Sequence, residues 1–564
     1  IGSALRGNGS LNELKASNQS FGDTGVEYIS KALVHGCQLL CLDLAHNQIS
    51  SAGAQMLAQA LMKPGSMLQH LELQNNELAC SGCGFLAEMI KENNSLEYLG
   101  LQHNSIGASG AVSLGAALIS NSCLEEIDLG YNSVGVAGSG ALAAATRSNS
   151  SLQKLNLQDN GLEILAGTKL AEELSAGLQK DIDGLLDAVL PRQPMAKRSS
   201  AIKSRLQEGP AGTQLVNLNL RHNNLGSIGG AAVVAALQIA RTELQELNLA
   251  WNGLGLETAS ALANLLGPQS LCTLTRLDLR DNRGLGLGAV LPKALHRLVA
   301  NVPSEPIDKA PRSPRRQDAH LEQQESAQHL RWLNMANIDL DSEGAALLAP
   351  AMAIFSNLEE LFLYNNPYLG RPPRAVEHPE DDWEGEPREI AVKPKEKDRK
   401  LQQGICRLAR ALATSTPSLK KLALGSCALG ATLATELLSI LSAHSELEDL
   451  SLCDNDLGTD QAQQSHLHTA IGKCLSSVAL KRLDLALNEL GDQCAFEIIA
   501  TLVREQQQVI VDFGANKVSR RFRLIVQGAL QDELAQGSDR PKVEEDLLAI
   551  LAGSSYAVKD VFRV

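Results

Sequence analysis

The chain has 564 residues, a formal net charge of -14, and 3% aromatic against 44% hydrophobic residues. An acidic surface argues against general affinity for nucleic acid or anionic membranes, because neither offers a cationic partner. No apolar run reaches the roughly 18 residues of a membrane span. The eleven cysteines are an odd, scattered set without the clusters that staple a secreted array, which predicts a reducing, cytoplasmic location.

A skeleton of leucine and asparagine recurs along the chain and is clearest in residues 96–111, LEYLGLQHNSIGASGA. Leu99 and Leu101 fall on one face of a short strand. Asn104 stands where the chain must leave that strand, and its amide can bond free backbone groups of the turn. An Ala- and Leu-rich helix is predicted to follow. Because one such unit has no core of its own, the units must stack.

Fifteen units align on a first leucine-type position, and most steps are 28 or 29 residues. Those positions are 11, 39, 68, 96, 124, 152, 215, 244, 274, 330, 358, 419, 447, 480 and 508. We predict an N-terminal capping repeat at 1–38, an array over 39–518, and a C-terminal helical cap or tail at 519–564. The asparagine is replaced by Gln19, Ile338 and Cys427, and Asn337 beside Ile338 predicts a shifted turn there.

This pattern resembles the leucine-rich-repeat superfamily, and within it the ribonuclease-inhibitor-like subfamily with long helical repeats. The Gly-Ala pairs at 53–54, 110–111, 288–289 and 344–345 carry the resemblance to that subfamily. It implies an α/β solenoid shaped as a horseshoe, with a parallel β-sheet on the concave face and α-helices on the convex face. The resemblance implies no reaction.

Three insertions interrupt the period, near 168–212, 296–327 and 370–400. They carry basic tracts or blocks of opposite charge, which cannot bury themselves. They are interpreted either as solvated loops or as docking and regulatory arms. The insertion near 296–327 adds about one repeat length, so a decayed repeat is a further alternative there, although its proline and charge content favours a loop. Ser199 and Ser313 lie in basic or Ser-Pro contexts and are candidate phosphorylation sites.

Motifs of catalysis are missing from the sequence. It contains no G-x-S-x-G nucleophile elbow, and its nearest approach to a phosphate loop, residues 161–169, lacks the required spacing. We therefore expect no enzyme activity, no cofactor and no metal.

The repeat predicts which side chains line the concave face. Residues at the second, fourth, sixth and seventh places after the first leucine should point there. The fourth place is rich in acidic and amide residues, including Asp43, Glu72, Asp128 and Asp278. A basic partner would suit this column. The alternative is that an exposed sheet simply needs polar residues.

Aromatic residues are rare, yet several fall on the predicted concave positions. Such rings commonly anchor a partner, or they pack under the neighbouring insertions. The candidate partner-binding residues outside the acidic column are Tyr98, His103, Tyr131, Trp251, Trp332, Phe362 and Tyr364.

These observations predict a non-enzymatic protein-interaction scaffold that joins a hetero-complex and binds basic or apolar segments of other proteins. Related repeat proteins extend this expectation to a cytoskeletal subunit of a ciliary axoneme. One alternative is a Ran-type GTPase activator, although that family's tail is strongly acidic and residues 519–564 are neutral overall. Another is the sensor portion of an innate immune receptor.

Overall fold

A computed structural model describes residues 5, 8, 10–35, 37–175, 213–239, 243–267, 270, 273–300, 329–370, 404–459, 463–476, 479–505, 509–526 and 562–563. Most of the three predicted insertions, with Ser199 and Ser313, lies outside the described residues. The chain divides into two compact units. The first comprises Ile1–Asn282 with Pro311–His329, and the second Arg283–Ala310 with Leu330–Val564.

The first unit repeats a three-residue strand followed by a helix. Its strands pair in parallel and in chain order. They are β1 (Glu13–Lys15), β2 (Cys41–Asp43), β3 (His70–Glu72), β4 (Tyr98–Gly100), β5 (Glu126–Asp128), β6 (Lys154–Asn156), β7 (Asn217–Asn219), β8 (Glu246–Asn248) and β9 (Arg276–Asp278). The helices are α1 (Gly22–Val34), α2 (Ser51–Leu61), α3 (Ala79–Glu92), α4 (Ala108–Leu118), α5 (Gly135–Ser148), α6 (Glu163–Leu174), α7 (Gly226–Ile239) and α8 (Leu256–Leu266).

The second unit follows the same plan. Its strands, again parallel, are β10 (Trp332–Asn334), β11 (Glu360–Phe362), β12 (Lys421–Ala423), β13 (Asp449–Ser451), β14 (Arg482–Asp484), β15 (Ile510–Asp512) and β16 (Phe562–Arg563). Its α-helices are α9 (Val290–Ala300), α10 (Ser342–Ala351), α11 (Gly404–Ser415), α12 (Gly430–Leu441), α13 (Gln464–Leu475), α14 (Asp492–Arg504) and α15 (Arg520–Val526). Short 3-10 turns lie at Arg283–Leu285, Leu287–Ala289 and Met352–Phe355.

The core lies between strands and helices. The middle residue of each strand points toward the helices, and Leu99 is fully buried there. On α4 the buried residues are Gly110, Ala111, Leu114, Gly115, Ala117 and Leu118. A Cβ at Gly115 would lie 2.7 Å from the Ala141 carbonyl oxygen, so glycine allows α4 and α5 to pack closely. Burying one such leucine contributes about 2 kcal/mol.

The asparagine at the eighth place forms a hydrogen-bonded ladder between neighbouring repeats within each unit. Asn104 is fully buried, and its Nδ2 donates to the carbonyls of Leu73 at 2.8 Å, Gln102 at 3.0 Å and Leu101 at 3.2 Å. Its backbone N–H donates to Oδ1 of Asn132 in the next repeat. The ladder therefore satisfies the buried backbone groups where each strand turns away.

The two buried exceptions keep the register of the ladder. The shifted turn predicted at Ile338 is wrong, because its N–H donates in place to Oδ1 of Asn366 at 3.1 Å. An aliphatic side chain needs no partner, so the turn has no reason to move. Cys427 donates from its thiol to the carbonyls of Leu363 and Gly425. Burial raises the pKa of this thiol to about 12, which keeps the donor proton in place.

A second ladder joins the helix ends in the first unit, and sequence reasoning missed it. Asn93, Asn121 and Asn149 follow one another at 28-residue intervals. Asn121 Nδ2 donates to the carbonyls of Ile90 and Asn93, and its Oδ1 accepts the N–H of Leu124. In the second unit His444 takes an equivalent role, with Nε2 3.1 Å from the Thr416 carbonyl oxygen.

The α/β solenoid that the resemblance implied is confirmed in each unit. Each of the fifteen predicted repeats carries a strand at its second to fourth places. Beyond them, α15 begins within the predicted C-terminal cap, and β16 adds to the sheet by pairing with Val511 and Asp512. The domain boundaries at 38 and 519 remain predictions.

Candidate interaction surface

The face of the sheet opposite the helices carries the residues that the repeat pattern selected. Backbone register sets Asp43 beside Glu72, Glu72 beside Gly100, and Gly100 beside Asp128. In the same row Asn248 stands beside Asp278. The fourth-place column therefore exists as a physical row. That it binds a partner remains a prediction.

A structural cause explains much of the acidic and amide character of this row. In several repeats the side-chain Oδ1 at the fourth place accepts the backbone N–H two residues later. Asp43 accepts from Ala45 at 2.9 Å, and Asp128 accepts from Gly130 at 2.9 Å. Such Asx turns hold the chain as it leaves the strand. The other equivalent acceptors are Asn156, Asn219, Asn248, Asp278, Asn334, Asp484 and Asp512.

Burial changes the electrostatics of the acidic residues. It raises the pKa of Asp128 and of Asp278, although hydrogen bonds partly oppose the rise. Asp128 Oδ2 accepts Asn156 Nδ2 at 2.8 Å. Asp278 Oδ2 lies 3.3 Å from Arg280 Nε, and this guanidinium also acts against the rise. These carboxylates are therefore partly neutralised within the sheet itself.

Glu72 and Tyr98 share the space above a glycine. A Cβ at Gly100 would overlap the Glu72 carboxylate and would lie 3.0 Å from the Tyr98 hydroxyl, so only glycine leaves room for both. Burial raises the pKa of Glu72, and a hydrogen bond from Tyr98 counteracts part of that rise. Burial, followed by the charge of Glu72, raises the pKa of Tyr98. The hydroxyl thus stays a donor toward the carboxylate.

The seventh place has a backbone conformation that sequence reasoning missed. At every repeat this residue has a positive φ, for example 51° at His103 and 57° at both Tyr131 and Trp251. This left-handed conformation costs a non-glycine residue roughly 1 to 2 kcal/mol. The ladder asparagine that follows holds the turn in place. As a result Tyr131 and Trp251 project outward, 41% and 47% exposed.

Histidines contact three aromatic rings on the strand face of the first unit. His70 stacks on Tyr98 with ring centroids 3.9 Å apart, and His103 stacks on Tyr131 at 4.2 Å. His222 meets Trp251 edge-on at 5.9 Å. In each pair the histidine occupies the same repeat position one repeat earlier. The signal that could have identified His70 and His222 was this spacing of 28 or 29 residues.

The second unit brings together a different set of rings. Trp332 and Phe362 lie on neighbouring strands with ring centroids 5.2 Å apart. Lys421 Nζ lies 5.3 Å from the centroid of Phe362, a distance that permits a cation–π interaction. Tyr364 follows two residues after Phe362 and is, like both rings, half-buried. The remaining candidate tryptophan, Trp251, lies in the first unit, as described above.

Comparison with known proteins agrees with this architecture. A family profile described as "Leucine Rich repeat" matches residues 37–58, 92–115 and 242–263. Ribonuclease inhibitor of Sus scrofa is 38% identical over 69 residues, which is 12% of this chain and 15% of that protein. The chain is built from leucine-rich repeats. Its repeats are of the ribonuclease-inhibitor-like type.

Two further similarities concern longer repeat proteins. The "NACHT, LRR and PYD domains-containing protein 14" of Mus musculus is 35% identical over 85 residues, or 15% of this chain and 9% of that protein. The chain thus matches only a small part of the curated relatives. A crystal structure of a TLR13–ssRNA13 complex aligns with 90% of this chain and 61% of that chain, at 14% identity and a TM-score of 0.40.

The leucine-rich repeats of the second unit carry an alternating row of charges, which sequence reasoning also missed. Glu359 lies 3.4 Å from Arg331 and 3.0 Å from Lys420, and Glu448 lies 2.8 Å from Lys481. These residues occupy the first place of consecutive repeats. Exposed pairs of this kind stabilise a fold little. Their main effect is to neutralise this row within the sheet.

The helices of this leucine-rich-repeat chain are short. Of those that the structure describes, none combines the length and the apolar character needed to cross a membrane.

Proposed function

We propose that this leucine-rich-repeat protein is a non-enzymatic scaffold that binds a partner protein through the strand face of its first unit. The observation that carries the proposal is the set of aromatic rings at the seventh place, each held outward by a left-handed turn and backed by a histidine. Leucine-rich-repeat proteins commonly mediate protein–protein interaction, which supports the assignment.

Physical chemistry favours these rings as anchors. Large rings bury much apolar area on contact, and they dominate the energetics of many interfaces. Here the contact with a histidine, stacked at Tyr131 and edge-on at Trp251, and the fixed turn already restrict both rings before any partner arrives. Less ordering entropy is then lost on binding. The partially buried carboxylates Glu72 and Asp128 add a negative rim, so the partner segment we propose combines apolar and basic residues.

Affinity capture from native cells tests the proposal. Wild-type chain, a double variant Tyr131→Ala with Trp251→Ala, and a control Tyr28→Ala serve as baits. Tyr28 is a matched control because it is also an exposed ring, 56% accessible, but it lies on α1. We expect a set of proteins that wild type and the control retain and the double variant loses. The affinity of the purified main partner is then measured by calorimetry.

Equal capture by all three baits, with the variants folded by circular dichroism, would contradict the use of this face. If a partner binds the wild type and the double variant but not Tyr28→Ala, its binding surface lies on α1.

The proposal includes a cellular location for the scaffold. We propose that it belongs to a hetero-complex in the cytoplasm and that this complex is part of the ciliary axoneme. Fractionation of native cells, followed by immunodetection of the chain in the axonemal and soluble fractions, tests this. Absence from axonemes of ciliated cells that express the chain would remove the ciliary assignment.

A second candidate function is the repeat portion of an innate immune receptor. The similarity to the mouse protein over 85 residues favours it. Sequencing the full transcript discriminates, since an in-frame nucleotide-binding segment is expected for such a receptor. Among the described residues nothing specifically favours the GTPase-activator alternative, which a phosphate-release assay with a small GTPase would test.

A further inference from the structure

A row of exposed aliphatic side chains marks one edge of the first unit, away from the strand face. It is formed in the first turns of α5 to α8, and we name it the helix-start row. Its members are Val136, Ile164, Leu165, Ile228 and Leu256, which are 42%, 45%, 71%, 53% and 58% exposed. Scattered exposed apolar residues are ordinary. Here exposed aliphatic residues recur at the twelfth or thirteenth place of four consecutive repeats, which is typical of a patch.

The same place in the preceding repeats is different. The first three residues of α1, α2, α3 and α4 are only Gly, Asp, Thr, Ser, Ala or Cys. The fold therefore does not require large aliphatic residues at helix starts. Because these side chains are 42–71% exposed, burial in the core does not account for their size. The change from small to large side chains occurs between α4 and α5 and persists for four helices.

The starts of α6, α7 and α8 lie against one another. A Cβ at Gly226, the first residue of α7, would lie 3.2 Å from Cγ1 of Ile164, so this side chain reaches the next helix start. The first turns of α7 and α8 are joined in turn, because Thr258 Oγ1 donates to the Ser227 carbonyl at 2.7 Å and the Glu257 N–H donates to Ser227 Oγ at 3.1 Å. The helix starts that carry Ile164, Ile228 and Leu256 are therefore adjacent.

The charges beside the row have one sign. In the first four residues of α5, α6, α7 and α8 the charged side chains are Glu163 and Glu257, with no lysine or arginine. A partner that covers the aliphatic side chains is therefore best flanked by basic residues.

The spacing selects the conformation of that partner. Packed helices lie roughly 8–10 Å apart, so anchors recur along the row at about that interval. Seven residues of an α-helix rise about 10.5 Å, and a side chain recurs on one helix face at that spacing. Residues on one face of a strand recur at about 6.8 or 13.6 Å, which matches less well. A helix of about 20 residues, roughly 30 Å long, would span the four helix starts.

We propose that the helix-start row docks an amphipathic α-helix of a partner protein, with one aliphatic residue in every seven and basic residues at its flanks. This surface is separate from the strand face, so the chain can hold two partners at once. The strand-face proposal can fail without affecting this one.

Selection from two displayed peptide libraries tests the inference on the full chain. In the first library, 21-residue helices carry Leu, Ile or Val at every seventh residue with Lys or Arg flanks. The second has the same composition with aliphatic residues at alternate positions. We expect enrichment from the heptad library alone. Enriched peptides should bind the triple variant Ile164→Ser, Leu165→Ser and Ile228→Ser at least tenfold more weakly than wild type.

The matched control is Ile119→Ser, which changes an exposed aliphatic residue, 51% accessible, at the end of α4. It should bind the peptides as wild type does. Circular dichroism verifies that both variants fold. A photo-crosslinking residue at position 228 should attach to the peptide, which gives a readout that does not depend on the triple variant. Enrichment of the alternating library, no enrichment at all, or binding that the triple variant retains would overturn the inference. So would a row-dependent dimer of the chain in light scattering, because the occupant would then be a second copy.

Discussion

The seventh and eighth residues of each repeat are neighbours in the chain with opposite roles. Asn104 is fully buried and bonds three carbonyl groups, whereas His103, one residue before it, is exposed and left-handed. The buried residue fixes the turn so firmly that the exposed one can hold almost any side chain. Within each repeat, therefore, one residue stabilises the fold and the residue directly before it is available for recognition.

The largest expected effect is loss of a ladder residue. Asn104→Ala should lower the free energy of unfolding by about 3 kcal/mol or more, because the carbonyls of Leu73, Leu101 and Gln102 lose their donor. His103→Ala should change it by about 0.5 kcal/mol or less. Urea unfolding of both variants, with hydrogen exchange around the turn, measures the difference. Equal destabilisation by Asn104→Ala and His103→Ala would contradict the separate roles of these two residues.

The cysteine at the ladder position 427 suggests a second substitution at Asn104. Since its thiol already serves the ladder in the second unit, Asn104→Cys should destabilise less than Asn104→Ala in the same urea titration. If the cysteine variant unfolds as easily as the alanine variant, the thiol at 427 contributes no useful hydrogen bond.

The next largest effect concerns binding. Trp251→Ala should lower the affinity for the partner identified by capture about tenfold or more, as expected for an exposed ring that becomes buried on binding. His222→Ala should weaken it by a smaller factor, since His222 supports the indole edge-on. Both variants should unfold near the wild-type urea midpoint. A His222→Ala effect larger than that of Trp251→Ala would show that the histidine itself makes the main contact.

A smaller effect on stability is expected at Leu487 in the second unit. This residue is 55% exposed and has a φ of 59°. Glycine adopts that conformation without the steric cost to Cβ, so Leu487→Gly should raise stability by up to about 1 kcal/mol, less the added entropy of the unfolded chain. Thermal unfolding measures the change. A marked loss would show that Leu487 makes a stabilising contact.

The smallest effect is a pH dependence at Glu72. Burial raises the pKa of this carboxyl, so between its ordinary value, roughly 4.3, and the raised value the folded chain binds more protons than the unfolded chain. Stability therefore falls as pH rises through that window. Glu72→Gln should be slightly more stable than wild type at pH 7, and the difference should vanish near pH 4. A constant difference in urea titrations at several pH values would exclude this cause.

The period of leucine and asparagine was enough to predict the strands, the ladder and the face on which each side chain lies, because these depend on a repeated local pattern. Other features depend on groups from adjacent repeats. The stacking of His70 on Tyr98 appears only when one repeat is set against the next. The left-handed seventh place carries no glycine signal, since it holds residues as different as Asp281, Trp251 and Leu487.

The acidic column shows a different limit. Backbone register places neighbouring members side by side, but the sequence could not separate recognition from local structure. The hydrogen bond from Gly130 N–H to Asp128 shows that one carboxylate oxygen already serves the turn. Burial at Glu72 depends on the missing side chain of Gly100, which lies beside it on the next strand, 28 residues later in the chain. Such burial arises only from contacts between neighbouring repeats, which a single repeat sequence does not contain.

The two-residue strand β16 has a consequence for self-association. A parallel sheet that grows by stacking repeats leaves unpaired N–H and C=O groups at its margin, and these can recruit strands from other molecules. Among the described residues of the second unit, Phe562 and Arg563 cover part of the edge of β15. We expect this pairing to oppose edge-to-edge association, so deletion of residues 562–563 should promote aggregation through β15 at concentrations where the chain with these residues stays dispersed.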